Sequence, residues 1–248
     1  MDLIQESELD NELIEKLRIL GERNRYAEYL KILHEALQKV KIEENGEPVV
    51  YLLDSLDKDI FIELVKLNVP AQDEERLWLR QGVIEKLNMA QKLLPEGYHL
   101  LIRDVFRTEK IVWDLYHLHL SNLKEKEPAL TDKEVELKIR NIMAVPDDPV
   151  TPGHMTGGAI DIILADNNKQ KIQLRVDEQV IPREEQDFTF CSKLSPDILA
   201  KRRILHNAMI GVGFHNYFRE FWHYSYGDAY WAVRRKNKVA IYGIPKQK

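Results

Sequence analysis

One position constrains this chain more than any other. Asp161 stands inside Ala159-Ile160-Asp161-Ile162-Ile163-Leu164, an otherwise apolar run. A short apolar run bounded by a glycine pair on one side and the turn Asp166-Asn167-Asn168 on the other reads as a buried strand. An ionised carboxylate in such a strand is costly unless it is paired or bound to a metal. Upstream, His154 is followed by Gly157-Gly158, which let the backbone turn sharply, so His154 and Asp161 can converge. A neutral imidazole and a carboxylate are both natural zinc ligands.

A second segment, Arg219-Glu220-Phe221-Trp222-His223-Tyr224, supplies a glutamate and a histidine three residues apart among bulky aromatics. On a perfect strand these two side chains point to opposite faces. They serve one site only if the strand bends, bulges or ends there, and Gly227-Asp228 is consistent with an end. Either pair alone is more often an ordinary side-chain pair than a site. Together they give three candidate ligands, His154, Asp161 and His223, and one unliganded glutamate, Glu220. Catalytic zinc sites use three protein ligands and keep a fourth position open.

The remaining pattern predicts an α+β fold, a small mixed or antiparallel sheet flanked by helices, because helices and strands mix without regular βα alternation. Residues 9–42 read as helical, with Leu13, Leu17 and Leu20 on one face and then Tyr26, Leu30, Leu33 and Leu37. They form an expected N-terminal helical extension, residues 1–44, ahead of a catalytic domain, residues 45–248. Val49–Leu53, Tyr98–Phe106, Ala159–Leu164, Lys171–Val176 and Tyr217–Tyr226 read as strands. Val83, Leu87, Ala90 and Leu94 mark one helix that stops at Pro95-Glu96-Gly97. Thr108 is placed to N-cap a second helix, carrying Val112, Leu115, Tyr116 and His119 inward. Thr131 and Glu134 have capping-box spacing for a third, running to about Met143. Ser195-Pro196 opens a fourth, running to about Met209.

Composition removes several classes of function. The net charge is -5 with Lys and Arg scattered among Asp and Glu, so nucleic acid is disfavoured as a partner. A single cysteine, Cys191, excludes an internal disulfide framework and a Cys-rich zinc site, and its surroundings suit an idle buried thiol. The first residues lack the basic and apolar regions of a secretory signal, and no stretch approaches a membrane span. The expectation is a soluble, cytoplasmic protein. His34-Glu35-Ala36-Leu37-Gln38 narrowly misses a helix-borne zinc pair, and His117 and His119 point different ways on a helix.

The two segments resemble the VanX-type D-alanyl-D-alanine dipeptidases, within the wider hedgehog/DD-peptidase fold group. That family's pattern is Ser-x-His-x-x-Gly-x-Ala-x-Asp, then Glu-x-x-His. Here it reads Pro152-Gly153-His154-Met155-Thr156-Gly157-Gly158-Ala159-Ile160-Asp161 and Glu220-Phe221-Trp222-His223. Leu93 to Tyr98 leading to Asp104-Val105-Phe106-Arg107, and Asn207 to Met209 leading to Gly213 to Tyr217, extend the likeness over roughly residues 45–235. The resemblance implies one zinc ion at His154, Asp161 and His223, with Glu220 as acid/base and Arg107 stabilising the transition state. It implies a small dipeptide substrate. Pro152, Phe221 and the stretch 183–187 depart from the family pattern, and an acid of that stretch is the expected holder of the substrate's ammonium. A carboxypeptidase or cell-wall endopeptidase of the same chemistry, and a zinc-containing binding module without catalysis, are the alternative readings.

Overall fold

The computed structural model describes residues 26–140, 142–148, 150–235 and 239–246. In chain order the elements are α1 (Tyr26–Leu37), β1 (Lys41–Ile42), β2 (Val49–Tyr51), β3 (Phe61–Ile62), α2 (Asp73–Arg76), β4 (Trp78–Arg80), α3 (Gln81–Gln91) and β5 (His99–Asp104). Then come α4 (Glu109–Lys126), α5 (Asp132–Arg140), α6 (Gly153–Thr156), β6 (Ala159–Ala165), α7 (Arg183–Gln186) and α8 (Pro196–Gly211). β7 (His215–Asn216), β8 (His223–Ser225), α9 (Ala229–Arg234) and β9 (Val239–Ala240) complete the order. The expected class stands: α+β, with small sheets flanked by helices.

The main sheet has the order β3-β5-β6-β8-β7, with β3 parallel to β5 and every other pairing antiparallel. Strand alternation divides β6 between two surroundings. Ile160, Ile162 and Leu164 enter the main core with Leu100 and Ile102 of β5. Val83, Ile84, Leu87 and Ala90 of α3 and Leu205 and Met209 of α8 join the same cluster. Asp161 falls on the other face. The register places it beside His223 of β8 and, past an irregularity between Ile102 and Asp104, beside Asp104 of β5.

Local chemistry accounts for the helix starts. Thr108 accepts from the Ile111 amide, and Ser195 accepts from the Ile198 amide ahead of Pro196. Thr131 and Glu134 cap each other reciprocally, the Thr131 amide donating to Glu134 Oε2 at 2.8 Å. Leu33 and Leu37 of α1 pack on Ala229 and Val233 of α9, and β1 pairs with β9, so the first and last described elements lie against each other. The stripe Leu13, Leu17, Leu20 and the side chains of Tyr26 and Leu30 lie outside the described residues.

The structure departs from the sequence reading in several places. β2 stops at Tyr51 and turns into a single 3-10 turn, Leu52–Asp54, which buries Leu52 completely. α3 ends at Gln91, and Leu94 reaches the core from beyond its end. α5 ends at Arg140. Lys171–Val176 makes only one bridge, Ala165 to Lys171. The rest of that segment bonds to side chains: the Val176 amide donates to Gln186 Oε1, and Leu174 O accepts from Arg202. Tyr217–Tyr226 is not one strand. Residues 217–222 form the turn between β7 and β8, closed by the Glu220 amide on Tyr217 O and the His223 amide on Glu220 O. No helix among the described residues is long and apolar enough to cross a membrane.

Candidate metal centre and active-site cavity

The three residues singled out as ligands come together from three elements. His154 lies on the one-turn helix α6, Asp161 on β6 and His223 at the start of β8. One donor atom from each lies within 4.8 Å of the others. His154 Nε2 is 3.4 Å from Asp161 Oδ1, and His223 Nδ1-H donates to the same oxygen at 2.8 Å. His154 Nδ1-H donates to Val105 O, which fixes the ring and leaves Nε2 directed at Asp161. The glycine pair sets the approach. Gly157 is left-handed, with φ of 71°. A Cβ on Gly158 would sit 2.3 Å from Tyr226 O, against the strand that carries His223. Two imidazoles and a carboxylate, converging and largely buried, fit a tetrahedral metal ion with one position left over. The two histidines hold the Asp161 carboxyl below the usual carboxylate range despite its burial.

Arg107 follows β5 and is held in a fixed direction. Its Nε and Nη2 both donate to Asp104 Oδ2, at 2.9 and 2.6 Å, and its amide donates to His154 O at 3.2 Å. Asp104 is wholly buried. Its other oxygen accepts from Arg76 Nη2 at 2.7 Å and from the Val105 amide at 3.0 Å. Burial alone would raise the Asp104 carboxyl; Arg107, His154 and Arg76 outweigh it and bring the carboxyl down. Arg76 is 2% exposed and Arg107 is 21% exposed, so the chain of charges runs from the interior to the cavity wall. Asp104 was named in the sequence only as part of a resemblance block. Its signal was the one that marked Asp161: a carboxylate closing an apolar strand, here with an arginine three residues on.

Glu220 sits in the turn between β7 and β8, which resolves the problem of opposite strand faces. Asn216 Nδ2 donates to Glu220 O at 3.0 Å and to His223 O at 2.9 Å, clamping both ends of the turn. The Phe221 amide donates to Asp187 O and the Thr189 amide to Phe218 O, tying the turn to the segment before α8. The buried guanidinium of Arg202 stacks on Phe221, 3.8 Å from the ring centre. Burial, with Asp161 adding to it, raises the Glu220 carboxyl above its ordinary value against the pull of His223, His154 and Arg107. A carboxylate raised in this way is a stronger proton acceptor than an ordinary one.

These groups share one cavity of about 660 Å³. His154, Asp161, His223, Glu220 and Arg107 all line it. From the stretch 183–187, Arg183, Glu184 and Asp187 line it; Glu185 turns away to pair with Lys193, and Gln186 is buried among backbone partners. Asp187 is held by Arg175 at 2.6 Å. His119, which the sequence reading set aside as a ligand, lies in the cavity wall, and His34 of α1 does too. Cys191 is a buried thiol packed with Ile181, Phe188, Leu194 and Ile198.

Residues 64–240 match the model of a peptidase family described as D-ala-D-ala dipeptidase, which is more than half of the chain. A protein of Synechocystis sp. named D-alanyl-D-alanine dipeptidase is 27% identical over 192 residues, covering 66% of this chain and 78% of that protein.

Proposed function

Because this chain belongs to the D-ala-D-ala dipeptidase family of metallopeptidases, we propose that it hydrolyses the D-alanyl-D-alanine dipeptide at the cavity described above, with zinc as its metal. The observation that carries the reading is the convergence of His154, Asp161 and His223 within 4.8 Å, in the same cavity as a glutamate whose carboxyl is raised. His154, Asp161 and His223 would hold the zinc. When bound, zinc lowers the pKa of a water to about 7 and polarises a carbonyl.

The chain's own residues supply the rest. Glu220 takes a proton from the attacking water and returns it to the leaving amine, a role worth roughly 10²–10⁴-fold in rate. Its raised carboxyl matches both halves of that task. Arg107 faces the negative charge that develops on the former carbonyl oxygen. Asp104 and Arg76 fix the direction of that guanidinium, so no reorganisation is needed as charge appears. Glu184 and Asp187 line the cavity and offer carboxylates for the substrate's ammonium, Asp187 while paired with Arg175. The catalytic unit is built on residues 45–248, with α1 packed against its α9 and reaching the cavity wall.

The test is release of free D-alanine from D-alanyl-D-alanine by zinc-loaded protein beside a Glu220→Gln variant. Release by the wild type with a fall of at least about 10²-fold in the variant is expected. No release by protein carrying one zinc per chain would sink the dipeptide reading.

A further inference from the structure

Among the described residues, Arg76, Arg80, Arg202 and Arg234 are the arginines buried almost completely. Three of them are matched. Arg76 pairs with Asp104 at 2.7 Å and Arg80 with Glu44 at 2.8 Å. Arg202 donates to the carbonyl oxygens of Leu174 and Phe188. Arg234, the last residue of α9, is treated differently. It is 1% exposed, and its Nε, Nη1 and Nη2 all lack a hydrogen-bond partner. What it does meet is the ring of Phe218, whose centre lies 4.1 Å from Cζ. An aromatic face attracts a cation but does not cancel its net charge.

A second orphan lies beside it. His215 of β7 is also 1% exposed, and neither of its ring nitrogens has a partner. Burial pushes the imidazole down to about 3, and Arg234 is the charge that adds most to that shift. The other charges acting on it are Arg235 and His206, so no acid faces the ring. The acid on the same helix, Asp228, caps the opposite end of α9, where Oδ1 accepts from the Trp231 amide. That end is about 9 Å away along the helix axis.

A guanidinium keeps its charge at any pH at which a protein stays folded, and it carries five N–H donors and no acceptor. The neutral imidazole adds one more donor. Burying such a charge is costly without a counter-charge. Water would fill the hydrogen bonds and leave the charge uncompensated. Both side chains are sealed from solvent in a close-packed interior, so the ligand must be about the size of a water molecule.

We propose that Arg234 and His215 hold a small monovalent anion of the halide class inside the fold. The site is independent of the dipeptide reading. It joins the end of α9 to β7 and to Phe218, and Phe218 belongs to the turn that carries Glu220. The anion is therefore a structural tie behind the catalytic turn.

The experiment is thermal unfolding of the full zinc-loaded chain in sodium chloride or sodium gluconate at one fixed ionic strength, beside Arg234→Met. In the wild type, Tm is expected to rise by about 3–6 °C for each tenfold increase in chloride above its Kd. The variant is expected to lose that dependence. Crystals of the wild type grown in sodium bromide give a second readout that does not require the variant to fold: an anomalous bromine peak in contact with the Arg234 guanidinium. The same wild-type Tm in chloride and gluconate overturns the site in favour of water. A chloride dependence that Arg234→Met retains places the ion elsewhere, at the metal or on the surface, and overturns it too. Bromide crystals without a peak at Arg234 do the same.

Discussion

Replacing Asp104 with Asn isolates the chain of charges behind Arg107. The substitution keeps shape and removes the charge. In the wild type one oxygen accepts from Arg76 and the Val105 amide, and the other accepts twice from Arg107. Arg76 has few alternatives. Its nearest other acid is Asp73, at 3.1 Å and largely exposed, and its remaining bond is to Val65 O. Arg107 is partly exposed and can recruit water. The cost is therefore dominated by Arg76, a buried guanidinium left without its counter-charge. Breaking one partner of a buried pair costs about 3–5 kcal/mol. With a urea m-value of about 3 kcal/mol/M for a chain of this size, the unfolding midpoint falls by roughly 1–1.7 M. Activity falls as well, because Arg107 loses both bonds that aim it; loss of a comparable stabilising donor costs about 10²–10³ in kcat. The assay is urea unfolding followed by tryptophan fluorescence, with D-alanine release measured on the folded fraction. A midpoint within 0.3 M of wild type, taking about 1 kcal/mol as the resolvable change, would refute the argument that Asp104 neutralises Arg76.

Other outcomes follow from the same geometry. Burial raises the Glu220 carboxyl, so its ionisation opposes folding: that contribution is absent below the unfolded pKa and grows as pH rises through the folded one. Metal-free Glu220→Gln is therefore expected to have a higher Tm than metal-free wild type at pH 8, with the gap closing toward pH 4; a gap that widens on acidification would contradict the sign. A Cβ on Gly158 would meet Tyr226 O at 2.3 Å, so Gly158→Ala is expected to cost about 1–3 kcal/mol and to weaken metal binding by shifting α6 against β8. Isothermal titration with zinc and urea unfolding check both parts.

The readability of this chain varied with the range of the interactions involved. Thr108, the Thr131–Glu134 pair and Ser195-Pro196 act within three residues, and each caps its helix as the sequence predicts. Asp161 was legible because a carboxylate inside an apolar strand demands a partner, whatever the fold. The segments 171–176 and 217–222 were misread for a common reason. Their β-branched and aromatic residues suit strands, yet their partners come from far along the chain. Gln186 and Arg202 take the backbone groups of Val176 and Leu174 that a neighbouring strand would have used. Phe221 is occupied by Arg202 and by the Asp187 carbonyl. Nothing in a local pattern reveals such substitutions. Likewise, the leucine spacing of α1 predicts a helix but not which surface it covers, and so gave no hint that Leu33 and Leu37 border the cavity.

In the function proposed, a metal held by His154, Asp161 and His223 is required for peptide hydrolysis in this cavity. The most direct measurement is stoichiometric: chelator-treated protein is titrated with zinc while release of D-alanine from D-alanyl-D-alanine is followed, beside a His223→Ala variant. No activity before zinc is expected, then a linear rise that breaks at one ion per chain, and no comparable rise in the variant. Full activity in metal-free protein, or the same titration curve from His223→Ala, would contradict it.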